Sequence, residues 1–339
     1  MKHVALIGTG LIGASIGLGL SEHGLVVTGW DPSKDALDVA RERGAINRKA
    51  ASMRAAIEDA DLVVLAAPPE SVIELLGRIE TDALVFDVAA VKATVAKAAS
   101  HLPRFVGTHP MAGREHAGPA HASIGLFRGA AWIVVPGEAA EEDVLAVEEI
   151  IGWLGAIATR LTAREHDDAV AAVSHLPQVI AALMVEHAAN HGDRLRLAAG
   201  SFRDLTRVAL SDPGLWVDIL THNSESVVTQ LEELAGALTR TARLIERDDD
   251  EAIRDLLGDA QAKRRLMAPP VVAVRVLLAD EPGELGRVGA ALAESAVDVR
   301  DLQLRHARHG GGGVLTLSVR PGESELLRSS LSKQGFEFS

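Results

Sequence analysis

The chain has 339 residues, enough for two or three domains with a core each. Its 47% hydrophobic and 24% charged composition is that of a soluble globular protein. A formal net charge of −13 argues against a nucleic-acid backbone or an anionic membrane as partner, although a local basic pocket can still hold an acidic small molecule. Cysteine is absent, which excludes disulfides, thiolate nucleophiles and Cys-zinc sites and fits a cytoplasmic location; tyrosine is absent too, which excludes dehydrogenases built on a Tyr-Lys pair.

The uncharged run Val4–Ser21 has the look of a signal-peptide core or a membrane span, but Gly8, Gly10, Gly13, Gly17 and Gly19 would weaken a lipid-exposed helix and no cleavage site follows. A dinucleotide site explains the run better. Val4–Ile7 reads as a buried parallel strand, Gly8-Thr9-Gly10-Leu11-Ile12-Gly13 follows at once, and Ala14–Glu22 reads as a helix. Gly8 suits a tight turn, Gly10 lets backbone approach a pyrophosphate, and Gly13 lets helix pack on strand; the helix N-terminus then offers free N–H groups to the phosphates. A second strand, Leu25–Trp30, ends at Asp31, the distance expected for the acid that binds the ribose hydroxyls. A carboxylate there repels a 2′-phosphate and favours NAD over NADP; the alternative role for Asp31 is to cap a helix starting near Pro32.

Strand and helix patterns alternate onward: strands at Leu62–Ala66, Ala83–Asp87, Phe105–Gly107, Ala131–Val135 and Ala156–Thr159, with helices beginning at Ser71 and Val144. This predicts a Rossmann-type doubly wound α/β domain over residues 1–161, with ligands at the carboxyl ends of its strands, where His109 falls. From 162 to 267 only helical spacing recurs, interrupted at Asp212-Pro213-Gly214 with Asp212 an expected N-cap, so this part is expected to be all-helical and dimerising. Ala268-Pro269-Pro270 reads as a linker. Residues 271–339 follow a βαββαβ order with an Asp280-Glu281-Pro282-Gly283 turn, which suits either an amino-acid-sensing domain or a ferredoxin-like dimerisation cap without ligand.

The most informative segment is Gly107-Thr108-His109-Pro110-Met111-Ala112-Gly113: a histidine braced by glycine and proline after a strand, placed to take a proton while hydride leaves for a nicotinamide. It resembles the active-site signature of the prephenate and arogenate dehydrogenases. Ser174-His175-Leu176-Pro177 resembles a second motif of that family, and Asp204-Leu205-Thr206-Arg207 with Ser211-Asp212-Pro213 and Trp216 resembles a third. With the glycine loop and Asp31, the resemblance spans residues 1 to about 267, a stretch read from the motifs themselves. Beside such an enzyme, the tail resembles an ACT domain.

The resemblance implies NAD-dependent oxidative decarboxylation of prephenate, a dicarboxylate, with arogenate as the alternative substrate. It implies that His109 is the base, that Arg207 grips a carboxylate as a fork, and that His175 contacts the other end of the substrate. Asp204 and Glu115 would organise the arginine and the entrance, and Trp216 would close an apolar wall, from its own or a partner subunit. It further implies a homodimer, with L-tyrosine as an effector of the tail. Each residue also has a plainer reading: Arg207 and Asp204 as surface neighbours, His175 as a helix-start residue, Trp216 as core. His187 and His191 stand at metal-pair spacing, but no third ligand is evident and no metal is expected.

Two positions depart from the family pattern. Ala90, in Asp87-Val88-Ala89-Ala90-Val91-Lys92, stands where the family has a serine whose hydroxyl contacts histidine and substrate; Arg114 stands where many relatives have threonine. The first leaves open a non-catalytic amino-acid sensor.

Overall fold

The computed structural model describes residues 1–112, 118–190, 193–266, 271–306 and 312–338. The chain divides into two compact units, Met1–Ala237 and Leu238–Ser339.

The first unit is built on strands β1 (His3–Ile7), β2 (Val26–Trp30), β3 (Arg48–Lys49), β4 (Leu62–Leu65), β5 (Leu84–Asp87), β6 (Phe105–Pro110), β7 (Ala131–Val135) and β8 (Ile157–Arg160). They form one sheet in the order β3-β2-β1-β4-β5-β6-β7-β8. Between them run α1 (Leu11–Glu22), α2 (Lys34–Glu42), α3 (Met53–Ile57), α4 (Pro69–Leu76), α5 (Ala93–Ala98) and α6 (Glu141–Trp153). Side chains alternate along β1 because a strand has period two: Val4 and Leu6 join the core on one face, Ala5 and Ile7 the core on the other. Both faces being buried, the strands read as continuous apolar runs.

The strand order reverses between β1 and β4, so a crevice opens at the carboxyl ends of these strands, beside the glycine loop. The doubly wound expectation holds through β6 and then needs correcting. β7 pairs antiparallel to β6, and β8 parallel to β7. The segment between β6 and β7 has no crossover helix among its described residues, only 3₁₀ turns at Pro119–His121 and Ile124–Phe127. Without such a crossover an adjacent strand returns antiparallel.

The helical part begins with α7 (Ala163–Val170), followed by a π-helical turn (Ala171–His175) and α8 (Leu176–Ala189). α7 opens with a capping box in which Thr162 and Glu165 bond each other's backbone, so the helix begins earlier than the apolar spacing indicates. The wide π turn lies just ahead of Pro177, where a regular helix would meet a missing N–H and a ring clash. Then come α9 (Gly200–Thr206), α10 (Pro213–His222), α11 (Ser224–Glu246) and α12 (Asp250–Leu266). Asp212 caps α10 as expected, accepting from the Leu215 N–H at 2.8 Å. Ile219 and Trp216 of α10 join the second sheet-face core.

The second unit carries β9 (Val272–Leu278), α13 (Glu284–Ser295), β10 (Asp301–His306), β11 (Gly313–Val319), α14 (Ser324–Lys333) and β12 (Glu337–Phe338). Its sheet runs β10-β11-β9-β12 with antiparallel neighbours throughout. Val274, Val276, Leu315 and Leu317 face Val288, Leu327 and Leu331 in a separate small core.

Candidate active site

The glycine loop is set by close packing. Gly8 has φ +94°, and a Cβ there would lie 2.2 Å from the Ala66 carbonyl oxygen; at Gly13 it would lie 2.1 Å from the Gly8 carbonyl oxygen. A Cβ at Gly10 would meet nothing within 4 Å, so backbone faces open space there. Gly10 is also the N-cap of α1 and offers no side-chain cap, which leaves the N–H groups of Leu11, Ile12 and Gly13 without side-chain partners from the cap. A buried Thr9 ties the loop to Asp31: its N–H donates to Asp31 Oδ2 at 2.7 Å and its hydroxyl at 3.1 Å. The N-cap of α2 is Ser33 rather than Asp31. Asp31 Oδ1 accepts the Ser33 N–H at 2.9 Å, so the carboxylate stands between the loop and the start of α2. An open cradle at a helix N-terminus with an acid at the end of β2 fits a dinucleotide.

His109 is the next-to-last residue of β6. Its Nδ1 lies 2.9 Å from His166 Nε2, with the rings edge-on at 5.1 Å. His166 Nδ1 in turn lies 2.7 Å from Asp167 Oδ1. The Asp167 carboxylate also accepts the Lys92 and Ala93 N–H groups, each at 2.8 Å, and its backbone carbonyl accepts the Asn223 side-chain amide at 2.8 Å. The same amide stands 3.2 Å from His175 Nδ1, and Trp216 meets the His175 ring edge-on at 6.0 Å. These bonds join the end of β6, the start of α5, α7, the π turn and the α10–α11 junction in one polar network.

Below it lies a buried ion pair, Lys92 Nζ with Asp87 Oδ2. Asp87 Oδ1 accepts the Thr108 N–H at 3.1 Å, and Trp132 donates its ring N–H to the Thr108 hydroxyl at 2.9 Å. These bonds hold the strand end that carries His109. Burial pushes the Lys92 ammonium down, while Asp87 and Asp167 support its charge.

All three histidines are held toward the neutral form. Burial, then His166, Lys92 and His175, keep His109 well below its ordinary value. Burial lowers His166, partly opposed by Asp167. Burial also brings His175 down to about 4. Asp167 is ionised: burial raises it, but the bonds from His166 and the Ala93 and Lys92 N–H groups outweigh that and hold it low.

His109, His175 and Trp216 therefore come together as the motifs imply, and Trp216 does so within one chain. Asp204 and Arg207 are exposed, on α9 and the 3₁₀ turn after it, a segment packed on α8. Arg114 and Glu115 lie outside the described residues. Ala90 is partly buried against the same core as Trp216. His166, Asp167 and Asn223 escape the sequence reading; a His-Asp dipeptide one turn into a capped helix is too common a pattern to single out.

The nucleotide-binding domain model of prephenate dehydrogenase matches residues 16–161, and that enzyme's dimerization domain model matches residues 162–259. The glycine loop precedes the first match and rests on its own geometry. The chain is 30% identical to the prephenate dehydrogenase of Bacillus subtilis, over 94% of this chain and 92% of the relative. Among solved structures it resembles Aquifex aeolicus prephenate dehydrogenase in complex with hydroxyphenyl propionate and NAD⁺, with a TM-score of 0.74 and 26% identity, covering 79% of this chain and 99% of that one. It also resembles Synechocystis arogenate dehydrogenase, with a TM-score of 0.69 and 27% identity, covering 79% of this chain and all of that one. A glycine loop, a strand-end histidine and two family models in sequence lead to one conclusion: the chain belongs to the prephenate dehydrogenase family.

Proposed function

We infer that this protein is an NAD-dependent prephenate dehydrogenase, which oxidises and decarboxylates prephenate to 4-hydroxyphenylpyruvate in tyrosine biosynthesis. The observation that carries the reading is a neutral histidine at the carboxyl end of β6, in a sheet whose glycine loop opens on the same side. Loss of hydride from the carbinol carbon and of CO₂ aromatises the ring, which supplies much of the driving force. The protein's work is to orient the substrate and to handle the hydroxyl proton. NAD, when bound, supplies the hydride acceptor.

His109 takes the hydroxyl proton. Arg207 binds a substrate carboxylate, with Asp204 and Glu115 orienting it and Arg114 beside the entrance. Neutral His175 contacts the other end as a hydrogen-bonding group, and Trp216 walls the ring. Gly8, Thr9, Gly10, Leu11, Ile12 and Gly13 hold the pyrophosphate, and Asp31 the ribose.

The functional division is a nucleotide domain, 1–161, a helical substrate and dimerisation domain, 162–267, and a regulatory ACT-like domain, 271–339. A homodimer accounts for the apolar helix surface left exposed at Val173, Leu183 and Val217. The stretch Ala163–Ala189 is long and apolar enough to cross a membrane by length and composition, but it carries His166, Asp167 and His175 of the buried network and is the site's own helix. The enzyme works in the cytoplasm. In the tail, a hollow lined by Asp280, Glu281, Gly283, Leu304 and Gly312 suits a small amino acid, with tyrosine the expected inhibitor.

Arogenate is the second reading, favoured by the likeness to the Synechocystis enzyme. NADH absorbance with prephenate and then arogenate, each with NAD and NADP, tests both. Turnover with NAD and prephenate is expected, and Asp31→Ala should narrow the preference for NAD. No turnover with either substrate would leave the non-catalytic sensor.

A further inference from the structure

We propose that His166 and Asp167 form a positioning pair that fixes the tautomer of His109 and shares the proton it takes; this rests on the dehydrogenase reading above. The argument runs along the hydrogen bonds. An ionised carboxylate only accepts, so His166 Nδ1, 2.7 Å from Asp167, carries the hydrogen. A neutral imidazole with hydrogen on Nδ1 has a bare Nε2. That nitrogen, 2.9 Å from His109 Nδ1, accepts, so His109 also carries its hydrogen on Nδ1. His109 Nε2 is then the free lone pair. Of the three rings only His109 retains exposed surface; His166 is 0% and His175 1% exposed.

Asp167 is itself held rigidly. Two backbone N–H groups and the His166 ring occupy its oxygens, and the Asn223 amide holds its backbone carbonyl. The orientation of His109 is thus inherited from the start of α5 and the α10–α11 junction through two side chains, and not from residue 90, which is alanine.

The same chain accounts for the proton. The substrate O–H breaks and its proton goes to His109 Nε2, while the C–H electron pair leaves as hydride to NAD and the C–O bond becomes a carbonyl. The His109 Nδ1 proton moves to His166 Nε2, giving an imidazolium directly against the Asp167 carboxylate. When the C–CO₂ bond breaks, its electron pair enters the ring and leaves a phenolate oxygen. That oxygen takes a proton back from His109 Nε2 as the shift reverses. The reaction releases no net proton, so a temporary store for one is what the site requires. The charged and titratable groups around the pair are Asp87 and Lys92 from the β5 end, Asp167 from α7 and His175 from the π turn.

The test uses the full-length enzyme. His166→Gln keeps an oxygen that can accept from His109 but cannot take a proton, and Asp167→Asn removes the charge and replaces one of the two accepting oxygens by a donor. Both should lower kcat about 10–100-fold, within the range of general acid–base effects, with KM for prephenate within about threefold of wild type. In Asp167→Asn the acid limb of the kcat/KM profile should move to lower pH, because the shared proton has lost its counter-ion. A kcat within twofold of wild type and an unmoved acid limb, in variants that still bind NAD, would overturn the proposal.

Nitrogen-resolved NMR of the histidine rings in the wild-type protein reads the tautomers without any variant or turnover. Hydrogen on Nδ1 of both His109 and His166 is expected; hydrogen on Nε2 of either neutral ring would overturn it. If wild type turns over neither prephenate nor arogenate, the dehydrogenase reading falls, and the tautomers still decide the pairing.

Discussion

The proposed nucleotide end of the site is made by one short stretch of chain, from β1 through the glycine loop and α1 to Asp31, whereas the proposed proton-handling end is gathered from β5, β6, α7, the π turn, α10 and the α10–α11 junction. At the first end the critical contacts are backbone against backbone: the Cβ positions of Gly8 and Gly13 coincide with carbonyl oxygens. At the second they are side chain to side chain, over separations of 57 residues for His109–His166 and 48 for His175–Asn223. The first end presents N–H groups to an anion and needs no titratable group beyond Asp31. The second needs groups that change protonation, and it buries His166 and His175 while leaving part of His109 open. A substitution at one end should therefore act on fold and affinity, and at the other on rate and pH dependence.

The largest effect is expected at His109. His109→Asn removes the proposed base and should lower kcat about 10²–10⁴-fold, while NAD binding, measured by nucleotide fluorescence, stays near wild type. The sign of the pH dependence follows from burial. Only the neutral ring accepts a proton, and its affinity for one is held well below the ordinary histidine value by burial, His166, Lys92 and His175. Activity should then persist as pH falls through about 6.5, the ordinary value, and fail only in more acidic solution. A mutant near wild-type turnover, or an acid limb above neutrality, would remove His109 from the base role and with it the contrast between the ends.

At the nucleotide end the matching change is Gly13→Ala. The new Cβ would sit 2.1 Å from the Gly8 carbonyl oxygen and 3.0 Å from the Ala66 Cβ, so helix α1 must move away from the loop. Overpacking of this kind costs about 1–3 kcal/mol, read as a lower melting temperature together with weaker NAD binding. Gly10→Ala is the control, since its Cβ meets nothing in the protein within 4 Å. It should melt like wild type and weaken NAD alone. Equal melting of all three proteins would mean that the loop tolerates side chains and that its glycines answer only to the ligand.

The same contrast decides what could be read in the sequence. The Gly8–Gly13 loop and Asp31 were legible because the loop, the strand before it and the acid after β2 are neighbours in the chain, and Gly8 and Gly13 each answer to a steric demand. His109 was legible from its glycine- and proline-braced place after a strand, whereas His175 and Trp216 were legible only through the resemblance of their short motifs. His166 and Asp167 were not, because their meaning depends on the 2.9 Å approach of α7 to the end of β6, which no local pattern encodes. The π turn before Pro177 and the reversal of β7 depend likewise on packing. The early start of α7 was available in Thr162-x-x-Glu165, a capping signal that apolar spacing alone passes over.

The smallest effect is expected at Ala90, and it bears most directly on how the two ends differ. The family resemblance implies a serine here with a hydroxyl that contacts the histidine, and so marks Ala90 as a loss. In this chain His109 Nδ1 is already engaged by His166, and Ala90 lies partly buried on the core that also receives Trp216 and Ile219. A hydroxyl added there has no vacant His109 Nδ1 to meet. One hydrogen bond is worth about 0.5–1.5 kcal/mol net, so Ala90→Ser should leave kcat unchanged or raise it at most roughly tenfold, with the acid limb in place. A rise of 10²-fold or more would show that His166 does not do the orienting and that the chain is an impaired relative. A loss beyond tenfold would show that the histidine end, like the glycine end, is limited by space, and the distinction between a steric and a titrating half of the site would no longer hold.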